Sequence, residues 1–292
     1  MRPISAGPTW TSRWRESTLA AAFLIPSVAI FAVFSFYPFQ QLVLRGLYVN
    51  NAAGTNPTYV GWEQYADVLT GDEFREGLLH SLQYVLYTVP AGLVLGTLLA
   101  VAANRRLRGI KIFQTIFAST IATSVAVASV MFFVVINPQV GVFEVDWLTD
   151  PDLALFGVSL SSIWQNLGLS FVIVLAGLQA IPDDLLEAAT VDGYGPVRRF
   201  LRVTLPLLTP VLLFLVVVLV VFAMQAFAQI DLLTAGGPAG STETLVFKIF
   251  QRQQPSQLGE GSVISIGLFV VTFLVTLGQF FLLDRRVHYG NR

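Results

Sequence analysis

Hydrophobic positions in this chain run in blocks instead of alternating with polar ones. Six blocks, at residues 19–39, 78–103, 112–136, 160–180, 207–230 and 263–283, are long enough to cross a hydrocarbon core, which takes about 20 residues per helix. Backbone polar groups in lipid must find partners inside the chain, and helices do this segment by segment. The blocks therefore predict an all-α integral membrane protein with six transmembrane helices. They form one domain over 19–283, with an N-terminal segment 1–18 and a tail 284–292. The first block follows three arginines, but it is too long and Phe-rich for a cleaved leader. Phe34-Ser35-Phe36 is also no small-residue cleavage site, so the block reads as a retained helix.

Composition agrees with this pattern. The chain is 54% hydrophobic and only 12% charged, against about a quarter charged for a soluble domain, and its mean hydropathy is +0.69. The charges are segregated. Arg2, Arg13, Arg15, Arg105, Arg106, Arg108 and Lys111, with Arg198, Arg199, Arg202, Arg285, Arg286 and Arg292, place 13 of the 17 cations on one side of the six-block topology. The other side keeps Arg45, Arg75, Lys248 and Arg252 with 12 of the 18 acids, among them Glu144, Asp146, Asp150 and Asp152. Positively charged loops stay inside, so both termini are expected to be cytoplasmic. The absence of cysteine excludes disulfides, thiolate metal sites and cysteine nucleophiles together.

The outer segments have patterns of their own. Residues 59–85 mix aromatic and acidic positions before sliding into the second block, as an interfacial helix does. Residues 233–253 hold a Gly-Gly-Pro turn and then a short amphipathic helix, for which Ser241 or Thr242 is the expected cap. His80 and His288 sit at opposite membrane boundaries and read as interfacial residues, not as a metal pair.

One cytoplasmic loop breaks the pattern more sharply: "EAATVDGYGPVRRFLRVTLPLLTP", residues 187–210. Pro182, Asp183 and Asp184 suit a helix N-terminus. Leu185, Leu186, Ala188, Ala189 and Val191 supply an apolar stripe. Gly193 can end that helix in the left-handed region, and Pro196 can start a second short one carrying Arg198, Arg199 and Arg202. Pro206 then admits the fifth block. The product is a rigid helix-turn-helix elbow over 181–206.

The elbow resembles the signature loop of the inner-membrane permease subunits of binding-protein-dependent ABC importers. Glu187-Ala188-Ala189, Gly193 and Val203-Thr204-Leu205-Pro206 match EAA, three residues, Gly, nine residues, Ile-x-Leu-Pro, with Val for Ile. Residues 162–182 and 232–250 are similar to the carbohydrate-uptake branch. Within it, "VDGYGPVRRF", "TLVFKIF" and "LDRRVHYG" most resemble the A-type permeases of glycerol-3-phosphate and glycerophosphodiester importers. The resemblance implies that Glu187, Ala188, Ala189, Asp192, Gly193, Arg198, Arg199 and Pro206 couple the chain to a separate homodimeric ATPase. ATP and Mg would be bound there, with no cofactor in this chain. It also implies a second homologous permease subunit, an extracytoplasmic solute-binding protein, and a multi-pass location in the bacterial inner membrane.

A solute path calls for polar side chains inside the apolar blocks, since burying them in lipid is costly unless they face a cavity or a neighbouring helix. Gln83, Ser124, Trp164, Gln165, Asn166, Gln225, Gln229 and Asp231 qualify. Of these, Trp164, Asn166, Gln225, Gln229 and Asp231 are the expected path residues, the alternative for each being interhelical hydrogen bonding. Amides and aromatics suit a small polyol or sugar. None of the blocks contains Lys or Arg, and Lys248 and Arg252 read as solvated or headgroup-facing rather than as a phosphate site.

Other function classes fit less well. No G-x-x-x-x-G-K-[ST] loop occurs, so ATP binding belongs to a partner. Ion-coupled transport needs acids or histidines at depth within the membrane, and the blocks hold none but His80 at the boundary of the second. An intramembrane enzyme needs a nucleophile with its base, paired carboxylates or a metal cluster at membrane depth. Nothing points to nucleic acid. The expected function is a permease subunit importing glycerol-3-phosphate or a glycerophosphodiester, with a di- or oligosaccharide as the alternative solute.

Overall fold

Where the apolar runs hold a continuous backbone ladder they form long helices, and at the Thr123 break side chains take over the freed groups. The computed structural model describes residues 10–51, 54–105, 108–137, 139, 141 and 145–284. Residues 1–9 of the N-terminal segment and 285–292 of the tail, with His288, lie outside the described residues, as do Arg106 and Glu144.

The first span is α1 (Trp10–Phe31), a π-helical turn (Ala32–Phe36) and α2 (Tyr37–Arg45). A two-stranded antiparallel ribbon comes next, β1 (Tyr48–Val49) on β2 (Thr58–Tyr59), and then α3 (Glu63–Thr70) and α4 (Asp72–Ala103). The stretch expected as one interfacial helix at 59–85 is thus a strand, a short helix and the first turns of α4. The extended backbone at Gly71 separates the two helices (ψ 153°).

The third block is not one helix. It is α5 (Ile110–Ala118), a 3-10 turn (Ser119–Ala122) and α6 (Val125–Ile136), bent by 105° at the break. Thr123 is extended there, and Ser124 caps α6 by accepting from the Val127 N–H at 3.3 Å. The next long helix, α7 (Pro151–Gln179), begins nine residues before the expected 160. The Asp150 carboxylate accepts from the Asp152 N–H at 2.9 Å, and Pro151 fills the first turn. From α7 come the bonds that make the bend tolerable in lipid. Gln165 Nε2 donates to the Thr123 carbonyl (3.0 Å), Thr120 Oγ1 to the Gln165 carbonyl (3.3 Å), and the Gly168 N–H to Thr120 Oγ1 (2.9 Å).

The elbow is α8 (Asp183–Val191) and α9 (Pro196–Arg199). Pro206 does not separate it from the fifth block, contrary to expectation. A π-helical turn (Phe200–Thr204) carries α9 straight into α10 (Leu205–Met224), so one span runs Pro196–Met224. The widened turn accommodates Pro206, which has no N–H for the ladder. The fifth block also stops short of its expected end at 230. Gln225, Ala226 and Phe227 break it, and α11 (Ala228–Leu233) follows as a separate helix. Then come α12 (Leu245–Gln251) and α13 (Leu258–Asp284). Among the described residues, five helices are long and apolar enough to cross a membrane, or six if the bent pair is one span.

The core lies where α4, α7 and α10 meet, around Tyr84, Phe171, Leu208, Leu215 and Met224. A small residue lets α4 and α7 close up: any Cβ at Gly96 would run into Ser170. The span Ala21–Arg45 meets the rest chiefly through α2 on α13, with Phe39 edge-on to Phe269 at 5.3 Å. Phe23 (80% exposed) and Phe34 (75%) face outward, which is costly in water and favourable in hydrocarbon.

The bend generates the first prediction. A Cβ at Gly168 would displace Thr120 Oγ1 and lie 2.9 Å from the Phe117 carbonyl oxygen, whereas nothing lies within 4 Å of one at Gly278. Gly168→Ala is expected to destabilise the detergent-purified protein by about 1–3 kcal/mol. Gly278→Ala, inside α13 with open space around it, should not lower the unfolding midpoint, and equal curves for both variants would remove the role given to the Thr120 knot.

Candidate functional site

Two sites emerge, one at each end of the path between the helix breaks and the elbow.

The elbow is built as its sequence implies. Gly193 has φ +78°, the Gly193 N–H donates to the Thr190 carbonyl (3.0 Å) and the Tyr194 N–H to the Ala189 carbonyl (3.0 Å). This pair of bonds is the helix stop that favours glycine at the left-handed position. Arg199 ties the two short helices together by donating to Thr190 Oγ1 (2.9 Å), and the Arg198 guanidinium lies 4.5 Å from the Tyr194 ring centroid. The apolar stripe is not turned into the bundle. Ala189 is buried, but Leu185, Val191 (86% exposed), Val197 (71%) and Leu201 face outward, with the carboxylates of Glu187 and Asp192 also exposed. A short, stiff element offering apolar side chains and unspent charge is an interaction surface.

Behind it lies a cavity of about 600 Å3 between Asn104, Arg105, the start of α5 and the start of α8, lined also by Lys111, Gln179 and Asp183. Two of the cations that the sequence assigns to one side, Arg105 and Lys111, are therefore gathered beside the elbow.

The second site is a cavity of about 600 Å3 between the two helix breaks. Of the five expected path residues, Asn166, Gln225 and Gln229 line it, and their side-chain amides make no hydrogen bond within the described residues. Gln165 lines it too, while holding the bend. Trp164 and Asp231 do not: Trp164 packs on Phe132 at 5.8 Å, and Asp231 lines a separate pocket of about 460 Å3 with Thr149 and Pro238. Gln83 is exposed away from the cavity, and Ser124 is used as a cap.

The residue pattern alone does not single out Tyr84, Thr88 and Ser162, which stand on the cavity wall, where the Tyr84 hydroxyl and Ser162 Oγ share a 2.5 Å hydrogen bond. A signal is nonetheless there to find. Ser81, Tyr84, Thr88, Gly92 and Gly96 recur at helical spacing, marking the packed face of α4 and excluding Gln83 from it. Among the described residues no Lys, Arg, Asp or Glu lines the cavity, and its chemistry is hydroxyl, amide and aromatic face.

Phe227, which also lines this cavity, is backed by Phe250 (4.6 Å between centroids) and Phe247 (6.3 Å) of α12. How α12 is held overturns two expectations. Its cap is neither Ser241 nor Thr242: the Leu245 N–H donates to Ser81 Oγ of α4 at 3.0 Å. Lys248 and Arg252 are neither solvated nor headgroup-facing. Lys248 is 5% exposed and donates to Glu243 Oε2 at 3.0 Å, while Arg252 pairs with Glu73 of α4 and with Glu260 of α13 (3.4 Å). Burial pushes the Glu243 carboxyl up. Hydrogen bonds from Gln251 and Lys248, with the charges of Lys248 and Arg252, outweigh this and hold it below the usual carboxylate range.

Comparison with known proteins places this geometry. The family described as "Binding-protein-dependent transport system inner membrane component" matches residues 92–289. The sn-glycerol-3-phosphate transport system permease protein of Agrobacterium fabrum is 33% identical over 276 residues, covering 91% of this chain and 94% of that protein. The protein of the same name from Brucella abortus is 34% identical over 278 residues, covering 91% and 95%. A solved bacterial ABC transporter involved in the import of the acidic polysaccharide alginate shares the fold. Its TM-score is 0.78 at 22% identity, covering 93% of this chain and 96% of that one.

The lowered Glu243 carboxyl sets a pH dependence. A depressed folded-state pKa stabilises above the unfolded carboxylate value and loses that contribution as pH falls through the folded value. Melting temperature is therefore expected to drop on acidification below the unfolded pKa, and less steeply in Glu243→Gln, whose baseline is lower. Parallel pH profiles for the two proteins would contradict the charge assignment.

Proposed function

The chain belongs to the family of binding-protein-dependent transport system inner membrane components, and from that premise we propose that it is a permease subunit importing glycerol-3-phosphate or a related glycerophosphodiester. It does so as a transmitter and gate, without catalysing a reaction. ATP and Mg are held by a homodimeric ATPase that docks on the elbow. A second, homologous permease completes the solute path, and an extracytoplasmic binding protein delivers the solute at the opposite end. With the elbow cytoplasmic, the loop after α4 and both termini are cytoplasmic as well, in keeping with the inside placement of positive loops.

The observation that carries the reading is the pairing of an outward-facing elbow with a cavity of free amides, joined by one helix. The span Pro196–Met224 runs from the α9 half of the elbow to Gln225 at the cavity. A push on Val197 therefore reaches the cavity wall along that one span, with Val191 tied to it across the turn by the Thr190–Arg199 bond. Closure of the ATPase dimer on ATP would tilt that span and switch the cavity from one side of the membrane to the other. Hydroxyls of a glycerol backbone fit Asn166, Gln225, Gln229 and the Tyr84–Ser162 pair, while the phosphate is met by the partner permease or the binding protein. The cation-free lining gives a second reading its footing: an uncharged di- or oligosaccharide handled by the same machinery.

Glu187→Lys reverses an exposed carboxylate with no partner among the described residues, so the fold should tolerate it. Uptake by the assembled complex is expected to fall by at least about tenfold with insertion unchanged, and normal uptake would remove the coupling role. Alanine at both Gln225 and Gln229 should lower uptake without lowering the yield of complex. A loss of yield in step with uptake would make these residues helix contacts and not path residues.

A further inference from the structure

A lysine that is 5% exposed at a membrane boundary demands a reason, because leucine would pack there without the cost of burying charge. Lys248 is threaded through a gap that only glycine leaves. A Cβ at Gly77 of α4 would lie 3.0 Å from Lys248 Cδ and 3.1 Å from Cε. Beyond that gap its ammonium meets Glu243 Oε2, and Gln251 Nε2 donates to the other carboxylate oxygen at 2.9 Å. His80 places Nδ1 3.2 Å from the Glu243 carbonyl, and Arg252 donates to the Lys248 carbonyl at 3.2 Å. A helix of seven residues, Leu245–Gln251, is thus fixed to α4 at its start, middle and end.

The other face of α12 has one neighbour that matters to the cavity. Phe247 and Phe250 hold Phe227, the residue at which the fifth block breaks and α11 begins. Among the described residues no side chain caps α11 (Ala228–Leu233), and Phe227 has φ −133° and ψ −61°. α11 itself packs on α6 and α7, so the aromatic contact is what α12 adds at its start, two residues before Gln229.

We propose that Lys248, anchored by Glu243 with its stem seated against Gly77 of α4, is a positioning device: by keeping α12 on α4 it fixes Phe227, and through Phe227 the amides of Gln225 and Gln229, in the geometry that selects the solute. Its solute-selecting half rests on the importer reading, and its positioning half does not. The ring of Phe227 then serves as the fixed apolar face for the carbon skeleton of a polyol, with the two amides supplying donors and acceptors beside it.

The absence of cysteine supplies the test. In the assembled complex in proteoliposomes, a single Gln229→Cys thiol is labelled with a small methanethiosulfonate reagent, and Ser162→Cys on α7 reports the opposite wall. Lys248→Met is expected to change the labelling rate at 229 by about threefold or more and to leave the rate at 162 unaltered, with Lys248→Arg restoring the parental rate at 229. Glu243→Gln is read in the same way, so assembly of either variant decides the matter. An unaltered rate at 229, or an equal change at both positions, overturns the proposal, the second by reducing the pair to general stability. Labelling needs no transported solute. A complex that ignores glycerol-3-phosphate therefore sinks the substrate reading, whereas an unresponsive thiol at 229 sinks the positioning one.

Discussion

In hydrocarbon an unpaired backbone N–H or C=O has no water to turn to, and each one costs several kcal/mol. A membrane helix can therefore break only where the protein supplies substitute partners. Two of the breaks in this chain face each other across one space. At Thr123 the partners are side chains of the neighbouring helix and the bend itself, Gln165 and Thr120, with the Gly168 N–H completing the knot. At Gln225 the last turn folds back on itself, its N–H donating to the Val221 and Phe222 carbonyls at 3.2 and 3.3 Å, and aromatic packing from α12 steadies Phe227 and the start of α11. The cavity is the space the two breaks leave between them, and two of its three free amides, Gln225 and Gln229, lie at or beside the position where regular helix ends.

The same constraint explains why the two ends of the molecule differ. The elbow is α8 and the exposed first turn of the span Pro196–Met224, where water can satisfy exposed groups, so it can be short, charged and apolar at once. Its rigidity is local: a left-handed glycine, the Thr190–Arg199 bond and a π-helical turn that lets α9 flow into α10 past Pro206. The opposite end is held by ion pairs among Glu73, Glu243, Lys248, Arg252 and Glu260. On the proposed reading, the first end receives motion and the second keeps part of the cavity wall still while the rest moves.

Much of this is legible in the residue pattern, and the failures are instructive. Hydropathy locates every span, and the elbow can be drawn down to the conformation of Gly193, because glycine and proline act through local sterics. The bends escape, since nothing local distinguishes Thr123 or Ala226 from helix interior; the groups that hold them come from distant segments, Gln165 of α7 and Phe250 of α12. Of the residues expected on a solute path, Asn166, Gln225 and Gln229 line the cavity. Trp164 does not, because its neighbour on the same helix, Gln165, points at the break instead. Lys248 misleads for a related reason: a cation near a membrane boundary looks solvated until the carboxylate and the glycine gap that bury it are seen together.

On the proposed reading this chain transmits ATP-driven motion to a cavity whose amides and hydroxyls take the hydroxylated part of a glycerol phosphate, the phosphate being met elsewhere in the complex. That reading is tested most directly by ATP hydrolysis in the complex reconstituted with its partner permease, ATPase and binding protein, with glycerol-3-phosphate, glycerophosphocholine, trehalose or maltose as solute. Stimulation by the glycerol phosphate compounds and not by the disaccharides is the predicted result. Stimulation by a disaccharide alone would contradict it, leaving the importer in place and moving its solute to uncharged sugars.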